Sequence, residues 1–176
     1  KNKKILEFGL FDDSATQIFK NNNCTITQLT FDSKNKKNES KFADKIISGN
    51  IDSLNIKKLF ENEKFDVITI DKILGSLQNP TVILQQLQNL LEKNGFFICV
   101  IPNFLCAPNR IFFLNGYLNF QSEIELINNT NLSFYLLDSF LLLLDKANLK
   151  ITQLNRIKQK SNLFSNSILN NLSFSN

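Results

Sequence analysis

The chain alternates between short apolar runs and amphipathic stretches. Residues 5–8 form an apolar run with one acid, Glu7, and Gly9 stops it. After the polar Asp12, Asp13 and Ser14, an amphipathic stretch over residues 15–20 predicts a helix, which Asn21, Asn22 and Asn23 break. Residues 25–31 alternate polar and apolar with high β-propensity, and residues 45–48 before Gly49 predict a third, short strand. A short helix is expected over residues 56–62 and a fourth strand over residues 65–70. Val82, Leu84, Leu87, Leu90 and Leu91 fall at helical spacing, with Pro80 ahead and Asn94-Gly95 behind as start and stop signals. Residues 96–101 are continuously apolar, as a central strand covered on both faces requires, and Pro102 ends them. An aromatic-rich irregular segment over 104–130, a helix over 137–148 with Asp138 and Asp145 outward, and a last strand over 150–157 complete the reading.

This alternation of strand and helix predicts an α/β fold: a Rossmann-like, mostly parallel sheet with helices on both faces. We expect one domain over residues 1–157, followed by a Ser/Asn-rich tail over 158–176 that reads as a peripheral helix.

Composition narrows the chemistry. The 176 residues hold 17 Phe but no His, Met or Trp, and only 5 Gly. A chain without His has no His-based triad and no His-ligated metal, so no metal site is expected. Few glycines leave few places where backbone approaches a phosphate closely. The net charge of +4 comes mainly from dispersed Lys, with Arg only at Arg110 and Arg156, so nucleic-acid binding is not indicated. The Lys- and Asn-rich usage matches codon bias in an AT-rich genome. Cys24, Cys99 and Cys106 are odd in number and two lie in apolar runs, so they read as reduced core residues. No apolar stretch is long enough to span a bilayer and no signal-peptide core precedes Glu7, which leaves the cytoplasm as the expected location. The lack of an initial Met is read as processing or as excision from a longer chain.

Topology then fixes where a ligand would sit. In an open α/β sheet it binds at the carboxyl ends of the strands, near the point where strand order reverses. The loops after the first four strands begin at Gly9, Thr30, Asn50 and Asp71, and Asn103 lies just past the fifth.

On these residues the chain resembles class I S-adenosylmethionine-dependent methyltransferases. Residues 5–13, Ile-Leu-Glu-Phe-Gly-Leu-Phe-Asp-Asp, resemble the family's first motif, an acid followed by G-x-G-x-G. Phe65-Asp66-Val67-Ile68 with residues 72–80 resembles the family's F-D-V-I and D-V-L-E-H-L-x-D-P stretches. Residues 90–98 are similar to its L-L-K-P-G-G turn and residues 100–103 to its V-P-N. Residues 128–135 are similar to a D-x-T-H-L-x-F-F segment of a bacterial subgroup associated with cell-envelope glycan genes. The resemblance runs over about residues 3–157 and implies S-adenosylmethionine as cofactor and methyl transfer to a glycan or small-molecule acceptor.

Carried over residue by residue, it implies cofactor contacts at Glu7, Gly9, Phe11, Thr30, Asn50, Ile51 and Asp71. Several positions depart from the pattern. Phe11 and Asp13 replace two loop glycines, Thr30 stands where a ribose-binding carboxylate is expected, with Asp32 nearby, and Asn50 replaces the adenine-facing acid. Ser76 and Asn131 occupy positions where the subgroup has His, so no catalytic residue is assigned. Cofactor binding is therefore expected to be weak or lost. A non-catalytic pseudo-methyltransferase scaffold working through protein contacts is the alternative. A nicotinamide-dependent oxidoreductase is disfavoured, because the first loop lacks the pyrophosphate glycines.

Other readings stay open. Glu7 serves either as loop-ordering acid or as a solvated strand-end charge; Asp12 and Asp13 suit a helix N-cap. Asp71 and Lys72 form either a ligand contact or a surface ion pair. Phe112, Phe113, Tyr117, Phe120, Phe134 and Tyr135 suit a satellite core better than a substrate or lipid pocket. No clear seventh strand is present. Either residues 163–174 supply a substitute or that strand lies outside this sequence, and an unfilled edge would pair with a partner chain or a second copy.

Overall fold

The computed structural model describes residues 2–9, 13–31, 40–61, 63–71, 73–106, 110, 113–114 and 133–157. Among the described residues, five strands make one wholly parallel sheet: β1 (Lys4–Gly9), β2 (Thr25–Phe31), β3 (Lys45–Gly49), β4 (Phe65–Asp71) and β5 (Leu91–Val100). Their order is β3-β2-β1-β4-β5, so the direction of strand addition reverses between β1 and β4. The helices are α1 (Asp13–Asn21), α2 (Ile56–Phe60), α3 (Pro80–Gln88) and α4 (Leu137–Lys146), with a short 3-10 turn at Ile73–Ser76.

The two faces of the sheet are covered differently. Leu6, Phe8, Leu29, Ile68 and Ile70 project to one side and join Ile56, Phe60, Leu84, Leu87 and Phe140 in the main core. Ile5, Ile26 and Val67 project to the other, where Cys24, Phe19 of α1 and Ala43 complete a smaller cluster. Helices thus lie on both faces, as the strand-helix alternation predicts. Most of the apolar burial that stabilises the fold is on the first face.

Two carboxylates set the parallel register at the amino ends. Asp66 Oδ2 accepts from the backbone N–H of Lys4 at 2.9 Å while Oδ1 pairs with Lys3 Nζ at 2.5 Å. Asp44 does the same one strand further out, accepting from Ile26 N–H at 2.9 Å and pairing with Lys20. Both carboxyls sit below the usual carboxylate range, first because of the lysine hydrogen bond and then because of the backbone one.

Three expectations are corrected. The helix expected to run through Leu91 to a Gly95 cap stops at Gln88, because Leu91 pairs with Phe65 and already belongs to β5. Between the Phe65–Leu91 and Val67–Phe96 pairs the register shifts, and Gly95 lies in that bulge, where an added Cβ would sit 3.0 Å from the Asp66 carbonyl. The run after it is not covered on both faces: β5 is the outermost strand among the described residues, and Phe96, Ile98 and Val100 are 53%, 41% and 38% exposed on the α1 side. Phe97 and Cys99 pack on the main core instead. Residues 150–157 form no strand and are exposed. Their apolar residues, Ile151, Leu154 and Ile157, recur every third position, a spacing that cannot gather them on one strand face. The expected tail helix, residues 158–176, lies outside the described residues.

Candidate functional site

The carboxyl ends of β1, β2 and β4 meet at the reversal point. Gly9 ends β1 opposite Asp71 of β4, with φ +129°, a backbone conformation that L side chains rarely adopt. An added Cβ would lie 2.9 Å from the Asp71 carbonyl oxygen and 3.3 Å from Ile73 Cβ. Thr30 flanks Gly9 from the other side, one step beyond the Phe8–Leu29 pair. It is 1% exposed, and its hydroxyl has no hydrogen-bond partner among the described residues. A buried hydroxyl without a partner costs free energy, about 1–3 kcal/mol, and in a native fold calls for an explanation such as a bound ligand or water.

Below this row lies a second polar one. Glu7 pairs in register with Gln28 on β2 and Thr69 on β4, all three buried on the α1 face. Both Glu7 carboxylate oxygens lie within reach of the Thr16 hydroxyl of α1, at 3.1 and 2.9 Å. Gln28 Oε1 accepts from Ser40 N–H at 3.0 Å, whereas Gln28 Nε2 and Thr69 Oγ1 have no partner among the described residues. Glu7 is thus no solvated strand-end charge. Asp13 opens α1, and its carboxylate accepts from Lys41 N–H at 3.3 Å, tying the helix start to the entrance of β3.

The β3 side contributes an exposed turn. Asn50 Oδ1 accepts from Asp52 N–H at 3.2 Å, and its carbonyl accepts from Ser53 and Leu54. Asp52 Oδ1 in turn accepts from Gln78 N–H at 3.0 Å, joining this turn to the segment before α3. The Ile51 side chain is fully buried in the main core.

On the β4–β5 side, half-buried Asp71 stands near Cys99, whose thiol is pushed up to about 12 by burial and then by the Asp71 charge. Tyr135 donates to the Leu74 carbonyl at 3.4 Å, and Ser133 N–H donates to Gly75 at 2.9 Å, so residues 133–135 close this side of the strand ends. Burial raises the Tyr135 hydroxyl above its ordinary value. Phe104, just past Asn103, stacks on Phe134 at 4.5 Å and tilts against Phe113 at 5.4 Å. Tyr135 packs edge-on to Phe140 of the core. Of the aromatic cluster expected from sequence, Phe112, Tyr117 and Phe120 lie outside the described residues, as do Phe11, Asp12, Asp32, Lys72 and Asn131.

Gly9, Thr30 and Asp71 are therefore side by side, and Asn50 lies just past the end of β3, the next strand outward. Thr16, Gln28 and Thr69 were not singled out by sequence reasoning. For Gln28 and Thr69 the signal that could have found them is polarity at inward positions of central parallel strands, which otherwise run apolar. Among the described residues no group of three or more His, Cys, Asp or Glu could hold a metal, and no helix is long and apolar enough to cross a membrane.

Comparisons with solved structures bear on the fold. A SAM-dependent methyltransferase from Archaeoglobus fulgidus superposes with a TM-score of 0.60 at 13% identity, covering 96% of this chain and 75% of that one. A SAM-dependent methyltransferase from Thermotoga maritima gives 0.58 at 17% identity over 84% and 64%, and the YcgJ protein from Bacillus subtilis gives 0.54 at 14% identity over 83% and 61%. The chain thus spans under two thirds of the Thermotoga and Bacillus proteins. At these identities the likeness shows the class I methyltransferase fold. No curated protein matches the chain significantly. A family model described as a methyltransferase domain matches residues 1–154, nearly the whole of the described architecture, and the chain belongs to that family.

Proposed function

We propose that the chain binds S-adenosylmethionine at the carboxyl ends of β1, β2, β3 and β4, with weakened affinity, and transfers its methyl group to a glycan or small-molecule acceptor. The observation that carries this reading is the buried Thr30 hydroxyl, without a partner among the described residues and set beside the positive-φ Gly9 at the reversal point. The donor set fits the cofactor. Thr30 offers one hydroxyl to a ribose hydroxyl, the exposed Asn50 offers an amide to an adenine, and Gly9 brings backbone close without a Cβ.

When bound, the cofactor supplies an electrophilic methyl on a sulfonium. The protein's task is then to hold an acceptor nucleophile in line with that methyl. Asp71 and Tyr135 are polar groups next to the strand ends on the acceptor side, and Asp71 can take a proton from an acceptor that must lose one. Thr30 in place of a carboxylate gives one contact where two would form, which lowers affinity by about tenfold to a hundredfold.

Calorimetry with S-adenosylhomocysteine tests the reading. Binding with a dissociation constant of about 10–1000 μM is expected, weakened by Thr30→Val and by Asn50→Ala. Absence of heat at millimolar ligand contradicts it.

A further inference from the structure

We infer that Thr16 is a positioning residue for the cofactor, acting through Glu7 by seating helix α1 over the strand ends. This rests on the proposed cofactor site.

Helix α1 is held near its two ends by polar contacts, Asp13 to the Lys41 amide and Lys20 to Asp44. Thr16 is its one buried residue; Ile18 is 62% exposed, and Phe19 is only partly buried against the small second cluster. The buried contact between α1 and the sheet is also polar: Thr16 Oγ1 to both oxygens of the fully buried Glu7. A buried carboxylate is costly to keep unless it is hydrogen-bonded, and an apolar pair at these positions would seat a helix at lower cost. The polar pair instead fixes direction. Glu7 lies two residues before Gly9 and Thr16 lies early in α1, so their contact ties the end of β1 to the start of α1. The first turn of α1 carries partial positive charge. The angle at which α1 leaves the sheet decides where that positive end lies relative to Gly9 and to the Thr30 hydroxyl, which has no partner among the described residues.

The hydroxyl role and a packing role are separated by two substitutions. Thr16→Val keeps the shape and loses the donor; Thr16→Ser keeps the donor and loses the methyl. We expect S-adenosylhomocysteine titrations to show Thr16→Ser within about threefold of the unaltered chain and Thr16→Val weaker by about tenfold to a hundredfold, both variants unfolding cooperatively. Thr16→Val binding within about threefold of the unaltered chain overturns the inference. So does a Thr16→Ser loss as large as that of Thr16→Val, because the contact is then packing. If the unaltered chain binds no ligand, the cofactor reading fails and this inference falls with it. Should Thr16→Val not fold, the ¹³Cδ resonance of Glu7 in the unaltered chain decides: a shift on adding S-adenosylhomocysteine supports positioning, and an unmoved resonance overturns it.

Discussion

Gly9 and Asp71 face each other across the β1–β4 ladder so closely that a Cβ on Gly9 would come within 2.9 Å of the Asp71 carbonyl oxygen. The positive φ of 129° at Gly9 adds a backbone penalty to that clash. Gly9→Ala should therefore lower stability by about 1–3 kcal/mol, read as a fall in the urea midpoint without a change of slope. It should also displace the strand end that lies beside Thr30, weakening S-adenosylhomocysteine. An unchanged midpoint would show that β1 and β4 part more easily than this ladder implies.

The Cys99 thiol is held neutral by burial and by Asp71, up to about 12. Alkylation at pH 8 followed by mass spectrometry should leave Cys99 unmodified in the folded chain and modify it in denaturant. A raised folded-state value stabilises the fold below the free thiol's range near 9 and loses that contribution as pH rises through the folded value. Replacement by Ser should flatten the alkaline limb of a stability–pH curve.

Asp66 supplies the opposite limb. Its carboxyl is lowered by Lys3 and by the Lys4 amide, so its contribution is present above about pH 4 and disappears as pH falls through the lower folded-state value. Asp66→Asn should cost about 0.5–1 kcal/mol at neutral pH and remove part of the loss seen on acidification. Equal acid sensitivity in the two proteins would contradict this role.

Much of this was legible in the residues. The sequence reading placed the first four strands within about a residue of their observed ends, and their alternation with helices pointed to a parallel sheet with its site at the carboxyl edge. What was not legible depended on neighbours far away in sequence. Asn94-Gly95 carries the local signature of a helix end, yet the pairing of Leu91 with Phe65 claims the segment for β5 and uses Gly95 to pass the Asp66 carbonyl. The run after it is apolar on both faces, but burial of Phe96, Ile98 and Val100 needs a layer that its sequence cannot specify. Thr16 looks like any polar residue of a surface helix, and only the docking of α1 shows that its hydroxyl meets Glu7.

The central claim is a cofactor site at the ends of β1, β2, β3 and β4. It is tested most directly by two-dimensional NMR of the ¹⁵N-labelled chain titrated with S-adenosylhomocysteine. The account predicts saturable shifts of the amides of Gly9, Thr30, Asn50 and Asp71, with the amino-end residues Lys4, Ile26 and Phe65 unmoved. A spectrum unchanged at millimolar ligand, or shifts confined to other parts of the sheet, would contradict it.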